Sequence, residues 1–377
     1  MKIIKFKVSK LFGFLDYDIN FDNSDIKIIT APNGYGKTVI LNILNSVIGN
    51  DFSFLNRIKF ENVSLVFDGL VIDIGKFDKS LHLNINGIGE IIDLHDKDIL
   101  NGNIEDKLFS NELSKYTAIS SLFIRDQRIS NDQNLVKKYA SELRELINLA
   151  HSESAKISQE LDADFLTRLS RALDSKSSTS IDSLEQRLYG IKDKLTKYSS
   201  YDLVNITNIS HDVFDRALIT NNNMVLLKFY IDDMLLKLSP IEHIYMKIKL
   251  FEGIINESIL SFKKIFFDRE KGFYFIGDNG EVIDYKDLSS GEKNQIILLF
   301  SLIFKANDCD IVLIDEPEIS LHVSWQSNFI DTILKIKKLN SFENIIISTH
   351  SPTIIGSHWD WTCDLSDLLE GNAGDGN

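Results

Sequence analysis

Four short stretches carry residue types that can handle a phosphate chain. In APNGYGKT, residues 31–38, Gly34 and Gly36 permit a tight turn, and with Asn33 they line a loop whose backbone N–H groups can face phosphate oxygens. Lys37 supplies a charge that reaches terminal phosphates, and Thr38 a hydroxyl for a hard cation, although Ala31 stands where the P-loop pattern has glycine. In DIVLIDEPEIS, residues 310–320, an apolar run ends on Asp315 and Glu316. Carboxylates at such an edge suit a magnesium-bound triphosphate, Asp315 holding the cation through water and Glu316 polarising an attacking water. In LSSGE, residues 288–292, Ser289, Ser290, Gly291 and Glu292 offer a hydroxyl and N–H groups to a γ phosphate; Ser289 with Glu292 also spells a capping box. The run NIIISTH, residues 344–350, ends on His350, whose neutral imidazole can hydrogen-bond a phosphate.

These residues need elements to hold them. The β-branched IKIIT, residues 26–30, and the apolar periodic stretch after Thr38 make a strand, loop and helix around the first motif. IIKFKVSK and LDYDINF alternate as strands do, and residues 60–95 read as antiparallel hairpins with Gly and Asn turns. AISSLFIRD, residues 118–126, is a further strand that ends at Gln127. From about residue 132 to 268 helix formers dominate; residues 135–173 carry apolar side chains at helical intervals and, uninterrupted, would reach about 60 Å. Serine-rich turns at 174–180 and 197–202 divide this block into a hairpin or small bundle, and Pro240 is expected to end or kink its helix. After residue 271 a hairpin turns at DNG, and strands and helices alternate to the end. The expected fold is α/β.

Composition narrows the function. In 377 residues, 44% are apolar and 25% charged, an ordinary globular balance. A formal charge of -14 disfavours broad attraction to nucleic acid, leaving only a local basic groove for it. Cys309 and Cys363 have neither metal-ligand nor disulfide spacing, which fits a reducing compartment. The longest apolar run, residues 296–304, is far short of the roughly 20 needed to span a bilayer, and the amino end lacks a signal-peptide pattern. The expectation is a cytoplasmic protein with no membrane partner. Pro32, Pro317 and Pro352 fall inside the motifs, as rigid turns at strand ends require.

LSSGE ahead of an apolar helix, then IVLIDEPE, then IIISTHSP, together resemble the ABC-type ATPase head of SMC-like repair proteins and OLD-like AAA proteins. The resemblance implies a P-loop NTPase fold with an N-terminal antiparallel sheet and a helical insertion. It implies ATP and magnesium as ligands, with Lys37 and Thr38 as Walker A and Asp315 and Glu316 as Walker B. Ser289, Ser290 and Gly291 become the signature, Gln127 the Q-loop residue near magnesium, Ser320 and His322 part of the D-loop, and His350 the switch histidine. The implied divisions are residues 1–130 and 271–377 as two lobes of the head and 131–270 as the insertion.

In this family the signature of one subunit completes the nucleotide site of another, which implies a head-to-head homodimer, with higher oligomers left open. Only 27 residues follow His350, too few for a nuclease domain of the OLD-like kind. The chain is then similar to stand-alone ATPase subunits of anti-phage systems such as Septu and retron modules, which control a separate nuclease or toxin. A repair or recombination ATPase acting directly on nucleic acid is the alternative. A transporter subunit is a third, disfavoured by the roughly 150-residue block between Gln127 and the signature.

Overall fold

A computed structural model describes residues 1–21, 25–77, 80–93, 119–125, 134–174, 180–205, 221–306, 309–340 and 342–373. The chain divides into two compact units, one joining Met1–Ser130 with Leu298–Asn377, the other Asn131–Ile297.

The first unit opens with β1 (Ile3–Leu11), β2 (Leu15–Asn20) and β3 (Ile26–Thr30). Next come α1 (Lys37–Ile48), α2 (Phe52–Arg57), β4 (Asn62–Phe67), β5 (Leu70–Phe77), β6 (Ser80–Ile85), β7 (Ile88–Asp93) and β8 (Ser121–Ile124). Six of these strands form an antiparallel sheet in the order β2-β1-β4-β5-β6-β7. Its residues alternate: on β2, Leu15, Tyr17 and Ile19 are buried while Asp16, Asp18 and Asn20 are exposed, the period-two pattern of a sheet covered on one face. Hairpins therefore form at residues 62–93 as the sequence predicts.

In the second unit the helices are α3 (Leu135–Ala163), α4 (Phe165–Asp174), α5 (Ile181–Ser199) and α6 (Asn221–Ser258). On α3, Val136, Tyr139, Ala140, Leu143, Ile147 and Ala150 make one buried stripe, and on α5 Leu184, Leu188, Ile191, Leu195 and Tyr198 make another. Both stripes pack on α6. The long periodic stretch is broken at Asp164, so α3 has 29 residues and spans about 44 Å. Pro240 neither ends α6 nor divides it. The ring removes the N–H that would reach the Leu236 carbonyl, and the Ser239 hydroxyl donates to that carbonyl instead, at 2.8 Å.

Lys263–Asp268 is a strand, β9, not the end of the helical block. The run KKIFFD alternates, with Ile265 and Phe267 buried and Lys264 and Phe266 exposed, so period two overrides the helix-rich composition before it. With β10 (Gly272–Gly277) and β11 (Val282–Ile283) it forms a three-stranded antiparallel sheet, order β11-β10-β9, around the DNG turn. Phe251, Phe267 and Phe273 pack edge to face where this sheet meets α6. Helix α7 (Ser290–Phe300) follows.

The chain then completes the first unit with β12 (Ile311–Asp315), α8 (Val323–Gln326), α9 (Phe329–Asn340) and β13 (Asn344–Ser348). It ends with α10 (Pro352–Ile355), β14 (Thr362–Asp364) and α11 (Leu365–Ala373). A second sheet here is parallel throughout, in the order β14-β3-β13-β12-β8. Every residue of β12 and β13 is buried, as expected of central strands covered on both faces. Helix α1 places Ile40, Leu41, Ile43 and Leu44 against the core, each burial stabilising by roughly 1.5 to 3 kcal/mol. In such a sheet the ligand crevice lies at the carboxyl ends of the strands. There β3, β12 and β13 deliver their motifs.

Candidate functional site

The loop after β3 turns at Gly34 and Gly36, whose φ of 93° and 87° lie in the left-handed region open to glycine. Gly36 caps α1 without any side-chain acceptor, so the first N–H groups of that helix are left for a ligand. Asn33 and Gly34 are exposed at the loop's tip. Tyr17 of β2 donates its hydroxyl to the Tyr35 carbonyl at 2.7 Å and pins the loop from beneath; burial pushes its phenol up to about 12. Lys37 is buried, 5% exposed, and its Nζ arches back to the Ala31 carbonyl at 2.8 Å. That bond folds the ammonium over the loop, where it can exchange the carbonyl for a phosphate oxygen.

Asp315 ends β12 buried at 6% exposure. Its Oδ1 accepts from the Thr38 hydroxyl at 3.2 Å and from the Ser348 hydroxyl of β13. Two strand ends and the start of α1 thus meet on one carboxylate. Nearby, burial pushes the Asp364 carboxyl up, but the Ser366 hydroxyl and N–H, the Thr30 hydroxyl and the charge of Lys37 outweigh it and hold the group below the usual carboxylate range.

Glu316 sits at φ 44° and ψ 56°, a left-handed conformation rare for a residue with a side chain, and its N–H donates to the Ser348 carbonyl at 3.0 Å. The strained corner breaks the strand direction one residue after Asp315, so adjacent acids serve different places. A short turn, Pro317–Ser320, follows. In it Glu318 is buried, and its Oε1 accepts from the Thr349 hydroxyl at 2.7 Å and the His350 N–H at 3.0 Å. His350 Nδ1 lies 3.1 Å from Glu318 Oε1 and 3.8 Å from Glu316 Oε1.

In the second unit, LSSGE opens α7. The Glu292 N–H donates to the Ser289 hydroxyl at 3.3 Å and the Ser289 N–H to Glu292 Oε2 at 2.8 Å, the reciprocal pair of a capping box. Lys263 holds the same carboxylate at 3.0 Å. Ser289, Ser290 and Gly291 remain exposed, so the cap leaves the helix start accessible. Gln127 lies outside the described residues, as does the Ser320 side chain; Ser320 is the last residue of its turn, and His322 is exposed.

The first unit therefore gathers Lys37, Thr38, Asp315, Glu316 and His350 along one edge of its parallel sheet. Tyr17, Ser348, Thr349 and Glu318 join them; of these only Glu318, the last acid of DEPE, carries any signal in the sequence. For magnesium, no cluster of three His, Cys, Asp or Glu is present among the described residues. The donor set at hand, the Thr38 hydroxyl beside the Asp315 carboxylate, is of the hard-oxygen kind that this ion takes together with waters and phosphates. The residues fit it.

Residues 1–355 match the AAA ATPase domain family. The chain belongs to that family. This AAA ATPase domain is 38% identical over 90 residues to the Retron Vc95 probable ATPase of Vibrio cholerae serotype O1 biovar El Tor. That match takes in 20% of the chain and 16% of the relative, a small part of the relative's length. Among solved structures, the Smc head domain with an extended coiled coil bound to the C-terminal domain of ScpA, derived from Pyrococcus furiosus, is 16% identical, with a TM-score of 0.44 over 94% of this chain and 90% of that one. The SMC head domain from Thermotoga maritima is 12% identical, with a TM-score of 0.37 over 94% and 91%. No described helix of this AAA ATPase domain is long and apolar enough to cross a membrane.

Proposed function

We propose that this chain hydrolyses ATP and that two copies, closed head to head around nucleotide, control a separate effector protein. The observation that carries the reading is the convergence of Lys37, Thr38, Asp315, Glu316 and His350 at the ends of β3, β12 and β13. In it, the N–H groups of the glycine loop and the start of α1 bind phosphate oxygens, and Lys37 leaves the Ala31 carbonyl for the β and γ phosphates. Thr38 and Asp315 would hold magnesium, with Gln127 assigned to the same ion, and the ion would neutralise charge on the phosphates. Glu316 takes a proton from water as the water oxygen bonds to the γ phosphorus, and the bond to the β–γ bridging oxygen breaks to leave ADP and phosphate. His350 lines the same space. Ser289, Ser290, Gly291 and Glu292 of the second copy, with Ser320 beside them, close the site.

The defence context rests on the likeness to a protein named as a retron ATPase, and the effector is a nuclease or toxin. A cytoplasmic setting fits this reading. The second reading, direct action on nucleic acid, draws on a cleft of about 390 Å³ in the second unit where Lys137, Lys271 and Lys286 gather beside Tyr274 and Tyr285.

Two substitutions test the first reading. Glu316→Gln should bind ATP, turn it over slowly and accumulate as a dimer by mass measurement. Lys37→Ala should bind ATP roughly tenfold or more weakly, the scale of a lost charge-assisted bond. Ordinary turnover in both would overturn it, whereas DNA-stimulated turnover with a steep salt dependence would favour the second reading.

A further inference from the structure

We propose that Glu318 is a positioning residue for hydrolysis: it fixes the ring of His350 in the tautomer with hydrogen on Nδ1 and leaves Nε2, on the far side of the ring, to accept from a water hydrogen. The inference rests on the hydrolytic reading of the site, and its first test is independent of turnover. Glu318 is buried, and its Oε1 gathers the Thr349 hydroxyl, the His350 N–H and His350 Nδ1 within 2.7 to 3.1 Å. Its Oε2 is enclosed with no hydrogen-bond partner among the described residues. A buried carboxylate accepts and does not donate, so the nitrogen facing it must carry the hydrogen. Glu316 also faces Nδ1, but at 3.8 Å it is beyond hydrogen-bonding distance, and Glu318 decides the tautomer.

The rest follows from the geometry of imidazole. With Nδ1 held, Nε2 points away from Glu318 and, in the neutral ring, is bare and accepts. An acceptor gains nothing from phosphate oxygens, which also accept. Its natural partner is a hydrogen of water. The turn after β12 carries both glutamates, the turn after β13 carries Thr349 and His350, and Glu318 ties one to the other.

Nitrogen-15 NMR of His350, at a pH well above the ring's titration, reads the tautomer directly. The wild-type protein should show hydrogen on Nδ1, Glu318→Gln should keep it because the amide oxygen still accepts, and Glu318→Leu should shift the neutral ring toward hydrogen on Nε2. In steady-state kinetics Glu318→Leu should lower kcat roughly tenfold or more with KM for ATP within about twofold, and Glu318→Gln should recover most of that loss. Hydrogen on Nε2 in the wild type overturns the proposal, and that measurement stands even if Glu318→Leu fails to fold. So does a Leu variant that loses turnover with its tautomer unchanged. If the wild type proves inactive, the hydrolytic reading and the water-directed role fall together, while the tautomer result still decides whether Glu318 sets the ring.

Discussion

Glu316 holds its left-handed backbone, φ 44° and ψ 56°, against a steric cost of about 1 to 2 kcal/mol. Glycine accepts that conformation freely but brings back roughly 0.5 to 1 kcal/mol of unfolded-chain entropy, so the two effects nearly offset. Glu316→Gly is therefore expected to abolish ATP turnover while leaving unfolding free energy within about 1 kcal/mol of wild type in a urea titration. A loss much beyond that would mean the corner is not strained. The contrast between the two glutamates of DEPE shows what one residue reveals on its own. An acid ending an apolar run announces itself, and Asp315 and Glu316 were legible for that reason. Glu318 has no such signature, because its partners Thr349 and His350 come from another strand end, over thirty positions along the chain, brought beside it only by the parallel pairing of β12 with β13. Tyr17 was hidden in the same way, since its alternation on β2 marks it as core and only its hydroxyl reaches the loop.

At the scale of elements, the contact of α3 with β10 depends on one missing side chain. Gly272 has a φ of 78°, and a Cβ there would overlap the Ala140 carbonyl oxygen of α3 and press on the Arg144 nitrogen at 3.0 Å, backbone that cannot rotate aside. Gly280, in the DNG turn, has a φ of 81° and open space around it. Torsion costs the two alike, about 1 to 2 kcal/mol on substitution by alanine, so any excess at the first site measures the overlap. Gly272→Ala should lose roughly 3 kcal/mol or more in chemical denaturation and Gly280→Ala about 1 to 2; equal losses would remove α3 as the reason for the glycine. Most elements were legible from periodicity, the hairpins and the buried β12 and β13 above all. Pro240 and β9 were not. Proline stays within α6 because Ser239 covers the carbonyl it strands, a local substitution no propensity records. Lys263–Asp268 is only six residues long and follows a strongly helical block, so composition masked its alternation.

For the whole molecule, a nucleotide site shared head to head is one that no single copy can complete. If the LSSGE motif of one subunit completes the phosphate site of its mate through a two-fold interface, the two functions can be damaged separately and restored by mixing. Lys37→Ala spoils the phosphate loop and spares the signature; Ser290→Arg does the reverse, placing a bulky cation at an exposed helix start that forms no part of the buried core. Each variant alone should be nearly inactive. In an equal mixture about half of the dimers are mixed, each with one intact site of two, so activity should recover to roughly a quarter of wild type. Recovery should follow the mixed-dimer population as total protein is diluted, because the composite site exists only while the copies are joined. A mixture that stays as inactive as its components would show that each chain completes its own site, and the signature would then need a different account from the exposed serines and glycine at the start of α7.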